Sequence, residues 1–158
     1  NTIVTAGETF LKEQGYHAWA QTTDRVNVDE ENRSEIPHKT VAVRAGLGWI
    51  GKNCLLVTPE YGSAIRISSL LTDAPLECAQ PMEKSRCGGC SLCVQHCPAG
   101  ALKGTLWSAG MEREEIVDVN RCYQKQKEIM YVSTGIDTDL CGKCFAVCAY
   151  TQNYLKKQ

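Results

Sequence analysis

Cys87-Gly88-Gly89-Cys90-Ser91-Leu92-Cys93-Val94-Gln95-His96-Cys97-Pro98 is the stretch that decides how this chain folds. Its cysteines follow C-x₂-C-x₂-C-x₃-C-P, a spacing in which three thiolates close around one cube of iron and sulfide while the fourth points toward a second cube. A second set of ligands is therefore required. The sequence supplies Cys141, Cys144 and Cys148, and an isolated Cys122 upstream. A regular second motif would place a cysteine where Thr138 stands, so Cys122 is the substitute. The crossed rule then assigns Cys87, Cys90, Cys93 and Cys148 to one 4Fe–4S centre, and Cys97, Cys122, Cys141 and Cys144 to the other. Thiolate is the soft ligand that iron prefers, and short spacings let one tight loop offer several sulfurs to one cubane. Glycines beside the ligands let backbone N–H groups approach the sulfurs.

Two other uses of cysteine fit less well. Zinc closes its site with four ligands and gives no reason for a third cysteine at x₂, a fourth at x₃ and a proline after it. Disulfides need an oxidising compartment, and the chain opens without an apolar signal segment. Of the 10 cysteines, Cys54 and Cys78 fall outside the cluster spacings and read as small buried or loop residues.

The 158 residues are about one domain's worth and can bury a modest core, with the clusters tying down the later part of the chain. Seventeen basic and 18 acidic side chains leave a formal charge of −1. Ligating thiolates and oxidised cubane cores together bring the loaded chain to about −5. That balance argues against a dedicated DNA or other nucleic-acid binder, whose footprint is a strongly basic face. No apolar run approaches the ~20 residues that span a bilayer, and reduced thiols with clusters point to the cytoplasm. The sequence begins at Asn1 without a methionine and runs straight into helical periodicity, as a fragment or processed chain does.

Ile3, Val4, Ala6, Phe10 and Leu11 predict an amphipathic helix over 2–14, stopped at Gly15. Residues 16–20 alternate as a short strand, in which His17 reads as half-buried, and 21–35 is a polar loop. Pro37 suits a first helical turn, with Val41, Val43 and Ala45 in a short helix ending at Gly46. Gly46, Gly48 and Gly51 then fall within six residues beside Trp49 and Lys52, which signals close backbone approach. This is not a Walker A loop, because Asn53 stands where Ser or Thr belongs. Nor is it a Rossmann fingerprint, because the loop follows a helix and opens a strand. Strands are expected at 54–58 and 64–72, paired as a hairpin around Pro59-Glu60-Tyr61-Gly62. Beyond the first motif, residues 98–102 predict a short helical turn, 117–131 a longer helix bearing Cys122, and 144–155 a closing helix. Trp107, Tyr123, Tyr131, Phe145 and Tyr150 are candidates for shielding the clusters from water. His96 reads as a loop residue, and no hydrolytic signature is present.

The loop Ala45-Gly46-Leu47-Gly48-Trp49-Ile50-Gly51-Lys52-Asn53, the hairpin ending in Leu71-Thr72-Asp73, the first cysteine motif, Arg121-Cys122 and the Cys141-x₂-Cys144-x₃-Cys148 run occur in the order that resembles the epoxyqueuosine reductase family. The resemblance covers roughly Pro37 to Tyr150. It implies a cobalamin-dependent reductase, distantly similar to reductive dehalogenases, that removes the epoxide oxygen of a modified tRNA base. Two 4Fe–4S clusters would carry electrons from a redox partner protein to the cobalt, and Gly46, Gly48, Trp49, Gly51 and Lys52 would lie near the corrin. Where the family has a D-(S/T)-x-P-x-x-E-R segment, this chain offers Asn32, His38 and Lys39. Asparagine is no general acid; Glu30, Glu35 or His38 would have to replace it, and Glu35, His38 and Lys39 are the candidate catalytic groups.

The expected fold is α+β: residues 1–78 as the remnant of a nitroreductase-like, corrin-binding domain, and residues 79–158 as a bacterial dicluster ferredoxin-like module. The expected function is cobalamin-linked reduction of a small-molecule or tRNA substrate. A stand-alone dicluster electron carrier without corrin is the alternative, and clusters that merely staple the chain are a third possibility.

Overall fold

The structure, a computed structural model, describes residues 1–31 and 33–158; Asn32, which stands where the family aspartate is expected, lies outside the described residues. The helices and strands follow in the order α1 (Thr2–Glu13), β1 (Ala18–Ala20), α2 (His38–Arg44), β2 (Trp49–Ile50), β3 (Leu56–Val57), β4 (Leu70–Thr72), α3 (Leu92–Gln95), α4 (Val119–Thr134), α5 (Lys143–Ala146) and α6 (Ala149–Leu155). This is the mixed helix and strand architecture expected. No helix among the described residues is long and apolar enough to cross a membrane.

The chain divides into two compact units, Asn1–Gly46 with Arg66–Pro81, and Leu47–Ile65 with Met82–Gln158. A single cut at residue 78 therefore misplaces 47–65, which belongs with the cysteine-rich unit. In the first unit β1 pairs antiparallel with β4, Trp19 opposite Leu71. Ala18 and Ala20 are buried and Trp19 is exposed, the alternation of a one-sided strand. Glu8 of α1 is buried, and its carboxylate takes Lys12 at 2.6 Å, Arg25 at 2.7 Å and the Ala20 N–H at 3.3 Å. Gly15 and Gly46 hold the left-handed conformations that stop the chain after α1 and α2.

Several expectations change. The predicted hairpin between 54–58 and 64–72 does not form: β3 pairs with β2, while β4 turns to β1. Periodicity reports that a segment is extended and is blind to its partner, and here the partner of β4 lies far back in sequence. Residues 64–69 carry no strand, and Cys54 sits in a tight turn with φ of 57°. His17 is exposed rather than half-buried, its ring 2.6 Å from the Asp73 carboxylate, which also accepts the His17 N–H at 2.8 Å. Residues 98–102 are not helical; Leu102 bridges to Val117 instead. The closing helix is two helices, α5 and α6, with Cys148 between them.

Candidate iron-sulfur centres

Within the second unit, Cys87, Cys90, Cys93 and Cys148 line one cavity together with Lys52 and Tyr150. Local structure explains how. Gly88 takes a φ of 53° directly after Cys87, and the Cys90 N–H closes the turn onto the Cys87 carbonyl at 3.1 Å. One turn of helix, α3, then carries Cys93. Cys148 arrives from the far end of the chain at the N-terminal cap of α6. Burial, and after it the neighbouring Cys87, Cys148 and Cys90 sulfurs, pushes the Cys93 thiol up to about 11.

The second motif repeats this design. Gly142 follows Cys141 with a φ of 76°, and the four-residue helix α5 carries Cys144 as α3 carries Cys93. Cys122 projects from α4, which begins at Asp118, whose side chain accepts the Arg121 N–H at 3.0 Å, and ends at left-handed Gly135. Cys93, Cys97, Cys122 and Cys144 all pack against an apolar core of Cys54, Ala101, Leu102, Ile116 and Val117. Burial, followed by Cys122, Cys93, Cys141 and Cys97, pushes Cys144 up to about 12. Cys122 is raised by burial and then by Cys97 and Cys141. Two N–H donors face sulfurs here: Ala101 to Cys97 Sγ and the Gln126 amide to Cys122 Sγ, both at 3.4 Å.

Half-buried thiols crowded by other thiols stay protonated near neutral pH unless positive charge is close, and iron–sulfur cores supply that charge to soft sulfur offered by tight loops. Among the described residues no three His, Cys, Asp or Glu side chains converge on a point that would hold one metal ion. Four cysteines lining one cavity are the donor set that a cubane takes. The residues present fit two cubanes.

Lys52 and Asn53, at the end of the glycine loop, line the first cavity. Lys52 is buried, and its Nζ donates to the Gly88 carbonyl at 2.9 Å and the Cys90 carbonyl at 3.0 Å. Trp49 is fully buried, its ring edge-on to Tyr150. A Cβ on Gly48 would come within 2.1 Å of the Val57 carbonyl oxygen, and one on Gly51 within 2.6 Å of Asn53. In the first unit, a Cβ on Gly46 would meet the Gln80 carbonyl at 2.7 Å. The close backbone approach read from these glycines is thus an approach to the chain itself. Asn53, in sequence only a departure from Walker A, has a structural role: its amide donates to Ser63 Oγ at 3.0 Å, and the Ser63 N–H donates to Thr151 Oγ1 of α6 at 3.0 Å. Only the closeness of Asn53 to the loop glycines hinted at this.

The other candidates are placed as follows. In the first unit Glu35 is exposed, His38 is half-buried with its Nδ1 2.8 Å from Ser69 Oγ, and Lys39 is half-buried on α2. His96 is exposed and its ring meets the Leu92 carbonyl at 2.9 Å. Cys54 is buried in the core, and Cys78 is exposed with its Sγ 3.7 Å from the Leu76 carbonyl. Of the aromatics, Tyr150 lines the first cavity and Trp107 packs on the core, whereas Tyr131 is 65% exposed and shields little.

A 4Fe–4S double cluster binding domain matches residues 86–151, the stretch that holds all eight of these cysteines. Fold and site together define an iron–sulfur protein with two 4Fe–4S centres. The chain is 34% identical over 128 residues to the epoxyqueuosine reductase of Listeria monocytogenes, which covers 76% of this chain and 31% of that protein. A crystal structure of epoxyqueuosine reductase with an epoxyqueuosine-modified tRNA stem loop superposes with a TM-score of 0.64 at 27% identity, over 93% of this chain and 36% of that one. A reductive dehalogenase structure described in terms of B12-dependent dehalogenation shares the fold, with a TM-score of 0.61 at 19% identity over 92% of this chain and 20% of that one. Over the part of the sequence it spans, the chain is similar to epoxyqueuosine reductases. It spans between 18% and 31% of the length of the curated relatives it matches.

Proposed function

We propose that the chain is the electron-relay part of an epoxyqueuosine-reductase-like enzyme, serving a cobalamin-type cofactor that reduces an epoxide on a tRNA base. The observation that carries the reading is the cavity lined by Cys87, Cys90, Cys93 and Cys148, which joins the two ends of the cysteine-rich stretch as the crossed assignment requires. Cys97, Cys122, Cys141 and Cys144 are the ligands of the second centre in this reading. Bound there, the clusters supply one-electron transfer. The chain's own residues hold the thiols at fixed separation, point the Ala101 and Gln126 N–H groups at sulfur, and keep water from the buried side of the core. A redox partner protein donates the electrons.

Gly46, Gly48, Trp49, Gly51 and Lys52 do not fit direct corrin contact through their side chains. The glycines face their own backbone, and Trp49 and Lys52 are buried in internal contacts. We read Gly48, Trp49, Gly51 and Lys52 as the support of the first cluster loop, whereas Gly46 packs against Gln80 within the first unit. The first unit, residues 1–46 and 66–81, as a remnant of a nitroreductase-like domain, and Glu35, His38 or Lys39 as a proton donor to the departing oxygen, are part of the proposal. The same internal use of the glycine loop favours a second reading, a dicluster electron carrier without corrin.

Anaerobic purification followed by iron, sulfide and cobalt analysis, with and without added cobalamin, separates them. About eight iron and eight sulfide per chain are expected. Retention of about one cobalt per chain supports the reductase, and full cluster loading with no corrin retained supports the carrier.

A further inference from the structure

We infer that Lys52 is a positioning residue for the Cys87–Cys90–Cys93–Cys148 centre, holding its ligand loop and setting its reduction potential above that of the other centre. The inference rests on the two-cluster reading. Its own basis is the asymmetry between the two sites. The first cavity is lined by a lysine that is 8% exposed, with two of its three ammonium donors committed to the carbonyls of Gly88 and Cys90. Both carbonyls belong to the turn that spaces the first two ligands. Such a bridge fixes the turn and turns both carbonyl dipoles toward the ammonium.

Adding an electron to a cubane adds negative charge, which a nearby cation favours, the more so away from water. The second centre has no equivalent among the described contacts. Cys97, Cys122 and Cys144 pack on the same apolar core as Cys93 of the first centre, and the N–H donors to their sulfurs, Ala101 to Cys97 and Gln126 to Cys122, are neutral, where the first centre has a charged ammonium beside its loop. An electron shared between the two centres therefore rests on the one beside Lys52, which gives the relay a direction. A lysine after a glycine suggests phosphate or cofactor binding from sequence alone; here its amine is directed at the protein's own loop.

The test is a potentiometric titration, followed by electron paramagnetic resonance, of the anaerobically loaded chain and of Lys52→Met and Lys52→Arg, with iron and sulfide measured on each. The couple that a Cys148→Ala variant lacks identifies the first centre. In Lys52→Met that couple is expected to shift to more negative potential while the other stays in place, and Lys52→Arg is expected to stay near the wild type. If Lys52→Met fails to hold the first cluster, Lys52→Gln keeps a donor for the carbonyls without the charge and carries the same expectation. A first-centre potential equal to wild type in the loaded uncharged variant overturns the proposal, as does an equal shift of both couples. Failure of the wild-type chain to load about eight iron counts instead against the two-cluster reading.

Discussion

Trp49 and Tyr150 meet edge to face, their ring centroids 5.0 Å apart and their planes at 74°. The pair joins the glycine loop to the helix that starts beside Cys148, so the last ligand of the first centre is placed partly by a residue well upstream of any cysteine motif. Arg86 lies over the same indole, 5.9 Å from its centre, and Tyr150 Oη donates to the Arg86 carbonyl at 3.4 Å. Such ring pairs contribute about 0.5–1.5 kcal/mol beyond the area they bury. Tyr150 is half-buried, so Tyr150→Ala is expected to lower stability by about 1–2 kcal/mol, below the range of fully buried aromatic truncations, and to speed loss of the first cluster on exposure to air. Tyr150→Phe keeps the ring and should behave nearly as wild type. The decay of cluster absorbance with time in the three proteins checks this; equal decay would show that the pair does not hold Cys148.

Cys122 is the ligand with the least regular position, standing on α4 rather than in a loop, with the Gln126 amide 3.4 Å from its sulfur. Cys122→Ala is expected to lower iron from about eight to about four per chain, because a cubane with three thiolates is readily lost while the other centre keeps all four. Gln126→Leu removes one donor to that sulfur and should retain both clusters, with the second couple moved to more negative potential. Iron analysis and a potentiometric titration check the two variants; full iron retention in Cys122→Ala would remove Cys122 from the ligand set.

The cysteine spacings led directly to the tight loops, because ligand spacing is a local constraint written in consecutive residues, whereas the one-turn helices α3 and α5 had no signal in that spacing. Strand pairing was less legible. Leu70–Thr72 pairs with Ala18–Ala20 rather than with the nearer Leu56–Val57, and nothing within a window of ten residues carries that choice. The burial of Lys52 was equally hidden, because its partners are backbone carbonyls of Gly88 and Cys90, which every sequence possesses. The glycine loop was read correctly as a place of close approach and could not be read for what approaches.

Gly62 shows the same limit and provides a sharp test. It closes a turn with φ of 61°, and a Cβ there would lie 2.2 Å from the Thr151 backbone nitrogen and 2.6 Å from its hydroxyl. The strain is twofold, since a left-handed backbone disfavours any side chain and the space is filled by backbone that cannot move aside. Gly62→Ala is expected to cost about 1–3 kcal/mol, read as a lower midpoint in urea. It should also weaken the Ser63–Thr151 hydrogen bond that anchors α6. An unchanged midpoint would mean that α6 is free to shift.

The carboxylate of Glu8 offers a pH-dependent test confined to the first unit. Hydrogen bonds from Lys12 and then Arg25 hold its carboxyl down at about 2, against an ordinary 4.5. A carboxyl whose pKa is lower folded than unfolded stabilises the fold only while ionised. Its contribution is therefore complete above about pH 4.5 and is lost as pH falls from there toward 2. Glu8→Gln removes the charge at every pH and leaves Lys12 and Arg25 without their partner. Wild-type α1 should show slower backbone amide exchange than the variant near pH 6, with the difference narrowing on acidification through that window. Exposed ion pairs such as Lys125 with Glu128, 2.6 Å apart on α4, contribute little and should not produce the effect. A difference that stays constant down to pH 2 would show that Glu8 acts through shape and hydrogen bonding rather than through its charge.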